Sequence, residues 1–234
     1  MDSKQKLSDI AHAQLKGMIL NNQFRPGEHL EETVLCDMLS VSRTPLREAI
    51  NRLVNENLLI AVPQKGIFVP EMSVQNIADL FRARKLIEPM VIMLSAPNLD
   101  HAVLIEFKEK TEKMIVDQDI SALHSLDYDF HSYINNNCGN QYIFQSVSFI
   151  TDQFQRVRTQ NFFPVERSIN GAKEHLVIID TILKAEYSAL PDLMLNHITS
   201  TETYYFRKLL ENSVAESNIE YLKRNPILTG SRQV

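Results

Sequence analysis

Four residues in the second half of this 234-residue chain have the types and spacing to hold a divalent metal: Asp127, His131, His175 and His197. Asp127 and His131, in LDYDFHSYI, are four apart and so share a helix face. They adjoin an apolar stripe of Leu123, Leu126, Phe130 and Ile134. His175 falls on the stripe Ala172, Leu176, Ile179, Leu183, and His197 on Leu190, Met194, Thr201. Both lie 11 residues from Glu186, where two long helices should turn. In an antiparallel hairpin they then sit at one height, about 16 Å from the bend at roughly 1.5 Å per residue.

Neutral imidazole and carboxylate suit Zn²⁺ first, with Ni²⁺ or Mn²⁺ as alternatives, and four protein ligands leave one or two positions open. Singly, each histidine reads as a hydrogen-bonded core residue. Together the four read as a metal site, because burying four unpaired polar groups is costly. His12, His29, His101 and His124 lack such a context and read as surface residues. An Asp/His₃ set with an open position could also activate water, which keeps a metalloenzyme as an alternative. Only Glu174 offers itself as a partner carboxylate for that chemistry. A helical lipid-binding module without metal would require the four polar groups to be solvated.

A second constellation is cationic. In SVSRTPLREAINRLVNENLLIAVPQKGIFVP (residues 40–70), Arg43, Arg47 and Arg52 avoid the apolar stripe Leu46, Ala49, Ile50, Leu53. Arg43 and Arg47 face outward at the start of a short helix, the end of a recognition helix that enters a major groove. The planar, permanently charged guanidinium suits phosphate and guanine. The bland alternative is a surface helix with solvated arginines. Arg84 lies on the stripe Ile77, Leu80, Ile87, Val91, so it should be buried and needs an anion. Either Glu88, one turn on, supplies it, or Arg84 clamps a ligand carboxylate beside the metal. Arg156, Arg158 and Arg167 are further candidates for such a clamp, though each reads first as a surface charge.

The elements that must position these groups follow from periodicity. Residues 6–21 and 31–39 read as helices, broken by Pro26-Gly27. Thr44 reads as an N-cap with Pro45 at the first helical position of a third helix reaching about Asn57. LLIAV and IFV flank Pro63-Gln64-Lys65-Gly66 as a hairpin. Three helices and a hairpin predict a winged helix-turn-helix over residues 1–72. After Ser73 the strand signal vanishes, and helices are expected near 73–96, 101–117, 120–136, 141–160, 166–186 and 189–213. Breaks fall at Pro97-Asn98, Cys138-Gly139-Asn140, Phe163-Pro164 and around Ser188-Pro191. The chain is thus expected to be mostly α: a winged helix-turn-helix, then an all-α bundle of six or seven helices over 73–215, then a tail over 216–234.

Composition narrows the class. The net charge is -5, yet the first 70 residues balance eight basic against eight acidic side chains. Nucleic-acid binding must therefore come from a local patch. No apolar run reaches membrane-spanning length, and MDSKQKLSDI has no signal-peptide core. Two cysteines, Cys36 and Cys138, suggest no disulfide framework. A cytoplasmic protein is expected.

Over roughly residues 8–212 the chain resembles GntR-family transcriptional regulators of the FadR-like subgroup, with the all-helical FCD effector domain. FRPGEHL and VSRTPLREAINRLVNENLLIAVPQKGIFV are similar to the family's PG-x-x-L, V-S-R-T-P-[VL]-R-E-A-[LI] and G-x-x-V pattern. RKLIE (84–88) resembles the R-x-x-[LI]-E opening of the FCD domain, and DYDFH (127–131) its D-x-x-[FL]-H. EHLVIIDTI (174–182) and LMLNHI (193–198) resemble its later histidine motifs. The resemblance implies DNA contacts from Arg43, Thr44, Arg47, Lys65 and Gly66, and metal ligands Asp127, His131, His175 and His197. It further implies a homodimer on a pseudo-palindromic operator, a repressor controlled by a small carboxylate effector, and a bundle that senses and dimerises. Two departures stand out. Thr33 and Cys36 replace the usual arginine and alanine of the second helix, and Ala185-Glu186 replaces the usual Gly-Asp before the last helix.

Overall fold

The computed structural model describes residues 6–160 and 165–212. The expected tail and the break at Phe163-Pro164 lie outside them. The chain forms two compact units, one of Met1–Ser73 with Asp152–Asn161, the other of Val74–Thr151 with Phe162–Val234.

In the first unit, α1 (Leu7–Leu20), α2 (Glu32–Leu39) and α3 (Arg43–Asn55) form the helical part. α1 packs on α3 through Ala11, Leu15 and Ile19 against the stripe Leu46, Ala49, Ile50 and Leu53, all buried. α3 begins two residues earlier than expected. Ser42 is the cap residue and its carbonyl accepts from Leu46, so Pro45 is the third helical residue. The first N–H groups of a helix have no intrahelical partner, so proline costs no more at the third position than at the first. The end is also earlier. Asn57 takes a left-handed conformation (φ 54°), Leu58 N–H bonds Leu53 C=O at 2.9 Å and Asn57 N–H bonds Val54 C=O at 3.0 Å. This Schellman closure turns the chain so that Leu58 and Leu59 plunge into the core.

The wing is a three-stranded antiparallel sheet of order β1-β3-β2, from β1 (His29–Leu30), β2 (Ile60–Val62) and β3 (Gly66–Phe68). The expected hairpin pairs Val62 with Gly66, and β1 adds Leu30 opposite Ile67. Two residues are too few to show an alternating pattern, so β1 left no trace in the sequence. Gly66 has φ 106°, and a Cβ there would overlap the His29 ring. Both facts demand glycine at the wing turn.

In the second unit, α4 (Val74–Ser95) lies along α9 (Leu190–Asn212). α8 (Val165–Leu183) contacts α9, α5 (His101–Asp117) and α6 (Ile120–Asn136). Phe81 anchors the α4–α9 seam, with Tyr205 and Phe206 at ring separations of 6.0 and 6.1 Å. Asp100 and Asp119 cap α5 and α6, accepting from Ala102 and Ala122 N–H. The second cap sets where α6 starts, and therefore where Asp127 and His131 stand.

α7 (Gln141–Gln160) begins in the second unit and ends in the first. Within the first unit, Lys16 Nζ lies 2.6 Å from Asp152 Oδ2, Gln153 donates to Asn57 C=O and Arg156 to Pro70 C=O. Thr159 donates to Leu20 C=O at 3.0 Å. The first unit therefore includes the C-terminal part of α7, which lies far downstream of the wing in sequence. Arg156 and Arg158 are accordingly buried, not surface charges.

Candidate functional site

α6, α8 and α9 bring the predicted metal residues together. His175 Nε2 lies 3.2 Å from His197 Nε2 and 3.6 Å from Asp127 Oδ1; His131 Nε2 lies 3.9 Å from Asp127 Oδ2. One ligand atom from each of the four falls within 4.8 Å of the others. All three imidazoles are buried and Asp127 is mostly so. Their burial removes the solvated, lipid-binding alternative.

Two glutamates not expected beside histidines back this cluster. Glu174 Oε2 lies 2.6 Å from His197 Nδ1, and Glu88 Oε2 lies 3.3 Å from His131 Nδ1. Each is gripped by an arginine. Arg167 donates to both Glu174 oxygens at 2.9 and 2.8 Å, and Arg84 to both Glu88 oxygens at 2.5 and 3.2 Å. Arg84, at 1 % exposure, is as buried as its stripe required, while Arg167 is buried against expectation. Glu174 neighbours His175 in sequence, and adjacent helix residues do not face each other. Its true partner is 23 residues away. No local spacing could have shown that.

Electrostatics follow the contacts. Burial pushes the Glu88 carboxyl up, but the Arg84 guanidinium and the His131 hydrogen bond outweigh it and hold it well below the usual carboxylate range. Glu174 is likewise lowered against its burial, by the hydrogen bonds from His197 and Arg167. His197 is lowered chiefly by burial, partly opposed by Glu174. Neutral imidazole and ionised carboxylate are the forms that coordinate metal. His131 Nε2 is buried with no hydrogen-bond partner among the described residues. An orphaned nitrogen facing a carboxylate and two further imidazoles is what a cation would satisfy, so the donor set fits a divalent metal.

The cationic constellation lies in the other unit. Arg43, Thr44 and Arg47 are exposed on the first turns of α3, and Lys65 and Gly66 are exposed at the wing tip. Arg47 Nε bonds Glu32 Oε2 of α2 at 2.9 Å, with most of the side chain still in solvent. Arg52 points instead to α1, where it meets Asp9 at 2.7 Å. His12, expected on the surface, is buried against Glu56 at 2.7 Å. His29 and His101 are exposed, and His124 is half-buried beside Ser168. Among the described residues no helix is long and apolar enough to cross a membrane.

Comparison with known proteins gives these two constellations a context. Residues 7–69 match the family described as bacterial regulatory proteins, gntR family, and residues 79–200 match the FCD domain. The HTH-type transcriptional repressor GlaR of Escherichia coli (strain K12) is 30% identical over 200 residues, covering 79% of this chain and 89% of GlaR. The Nta operon transcriptional regulator of Aminobacter aminovorans is 29% identical over 199 residues, covering 83% and 90%. The fold is similar to that of the solved E. coli McbR/YncC, with TM-score 0.77 at 18% identity over 87% of this chain and 98% of that one. These relatives are regulators, not enzymes, which removes the metalloenzyme alternative. With a winged helix-turn-helix that exposes arginines at the start of α3 and a helical FCD domain after it in sequence, this chain belongs to the GntR family of DNA-binding transcriptional regulators.

Proposed function

We propose that this protein is a repressor controlled by a small organic acid bound at a metal in the helical unit. The observation that carries the reading is the convergence of Asp127, His131, His175 and His197, with His131 Nε2 buried and awaiting a partner. These four would hold the ion, Zn²⁺ first and Ni²⁺ or Mn²⁺ as alternatives. When bound, it supplies a hard cationic centre for a carboxylate oxygen. Arg84 would offer the second charge. Repression is supported by the similarity to GlaR, itself a transcriptional repressor.

The reading extends to DNA. Arg43, Thr44 and Arg47 on the recognition helix, with Lys65 and Gly66 on the wing, would contact the operator in cytoplasmic protein. A homodimer would present two such helices to successive major grooves. An exposed apolar stripe on α4, Leu86, Met90, Met93 and Leu94 at helical spacing, supports self-association. Effector and operator would then bias one equilibrium between DNA-competent and incompetent arrangements.

A second reading of Arg84 is favoured by its two hydrogen bonds to Glu88. In it, Arg84 holds Glu88 and never touches an effector. The main reading is tested by screening mono- and dicarboxylates for thermal shift with zinc-loaded and metal-stripped protein. A shift confined to loaded protein supports it; equal shifts in both would contradict it.

A further inference from the structure

Around the histidine cluster the same grammar occurs twice: an arginine grips a glutamate through two hydrogen bonds, and the glutamate meets the Nδ1 of a histidine whose Nε2 faces the cluster. The tighter instance is Arg167–Glu174–His197, with contacts of 2.9, 2.8 and 2.6 Å. Arg167 Nη2 also donates to Thr201 Oγ1 at 2.7 Å, and the Thr201 hydroxyl donates to His197 C=O at 2.9 Å. The chain of bonds thus starts on α8, crosses to α9 and closes one turn from the histidine it serves. The looser instance is Arg84–Glu88–His131, at 2.5, 3.2 and 3.3 Å.

We propose that Glu174, held by Arg167, is the positioning residue that keeps His197 in its Nδ1–H tautomer with Nε2 bare toward Asp127 and His175. Glu88 plays the same part for His131. An ionised carboxylate can only accept, so the nitrogen facing it must donate. That consumes the ring's one proton and leaves Nε2 as a lone pair. Glu174 is kept ionised by the Arg167 fork, which also fixes the plane of its carboxylate. Ligating histidines gain basicity from such an outer carboxylate, and its loss costs roughly 10–100-fold in metal affinity.

The contact could instead be a tie between α8 and α9, since it spans 23 residues. The two roles predict different things. A tie affects stability; a positioning residue sets the tautomer and the metal affinity. The proposal rests on the metal reading above, and the experiment separates their failures.

The test uses full-length protein with Zn²⁺ as the probe, competed against a chromophoric chelator. It compares wild type, Glu174→Gln, Glu174→Asp and His197→Ala. Gln can present its NH₂ to Nδ1 and favour the other tautomer; Asp keeps the charge. Glu174→Gln should bind zinc about 10–100-fold more weakly, with Glu174→Asp recovering part of the loss. In parallel, long-range ¹H–¹⁵N spectra of metal-free wild type should show His197 protonated on Nδ1. This measurement stands even where a variant does not fold. Zinc affinity of Glu174→Gln equal to wild type, or an Nε2–H tautomer for His197 in the wild type, overturns the proposal. Undiminished zinc binding by His197→Ala overturns the metal reading itself, and the proposal with it.

Discussion

His175 Nε2 and His197 Nε2 meet at 3.2 Å although 22 residues separate them in the chain. The turn between α8 and α9 makes this possible. Glu186 N–H bonds Thr181 C=O at 3.1 Å and Ala185 N–H bonds Ile182 C=O at 2.9 Å, a Schellman closure with Ala185 at φ 58°. The two helices then run back along each other, and two histidines equally far from Glu186 arrive at one height.

That turn carries a cost. A left-handed conformation at alanine is unfavourable by about 1–2 kcal/mol, which glycine avoids. Ala185→Gly should therefore stabilise the protein by about 1 kcal/mol after its greater unfolded-state entropy is set against the gain. Denaturant unfolding of both proteins at equal zinc checks this, and a destabilised variant would contradict it.

The metal-free protein should lose stability on acidification in two stages. His197 is lowered from 6.5, so below that value the unfolded chain binds the proton more readily and stability falls. Glu88 and Glu174 are lowered from 4.5; their contribution is full above that value and disappears as pH drops through their folded values. Unfolding midpoints measured from neutral to acid pH should show both stages, and Glu88→Gln should weaken the acid one. A stability that rises on acidification would contradict the assignment.

Arg43→Ala and Arg47→Ala should abolish specific operator binding while leaving the helical unit folded. Loss of a bidentate base contact costs about 1–3 kcal/mol of discrimination. Loss of a phosphate contact instead weakens all sequences alike and lowers the salt slope. Anisotropy titrations with an operator selected from random duplexes, at several salt concentrations, distinguish the two. Wild-type binding by both variants would show that α3 is not the reading helix.

Much of this was legible beforehand, for identifiable reasons. Long amphipathic helices announce themselves by period, so α4–α9 fell within a few residues of expectation, and equal distances from one turn placed His175 beside His197. What depended on contacts distant in sequence did not show. β1 is two residues long. Glu174 offered itself only as a catalytic carboxylate, and its contact with His197 did not show because that partner is on another helix. Lys16 gave no sign of Asp152, nor His12 of Glu56, since nothing in a local pattern encodes a pair so far apart.

Arg84 separates the two readings of the effector pocket. Arg84→Ala alone strands a buried Glu88 and should cost about 3–5 kcal/mol. Arg84→Lys keeps a cation beside Glu88, and Glu88 beside His131, while removing the planar fork, and is the better probe. If Arg84 clamps a carboxylate, that variant should bind the acid found by screening about tenfold more weakly or worse, with DNA affinity of the acid-free protein unchanged. By linkage, release of operator should need correspondingly more acid. Release at wild-type concentrations would leave Arg84 as the holder of Glu88 only.

The most direct test of the metal-dependent sensor is the metal content of purified protein by mass spectrometry, wild type beside His175→Ala/His197→Ala. Four converging donors from three helices should hold about one divalent ion per subunit in the wild type, and the double variant should lose it. Because the ion binds only the folded chain, its loss should also lower the melting temperature. Full occupancy in the double variant, or none in the wild type after growth and purification with zinc present, would contradict the assignment of Asp127, His131, His175 and His197 as its ligands.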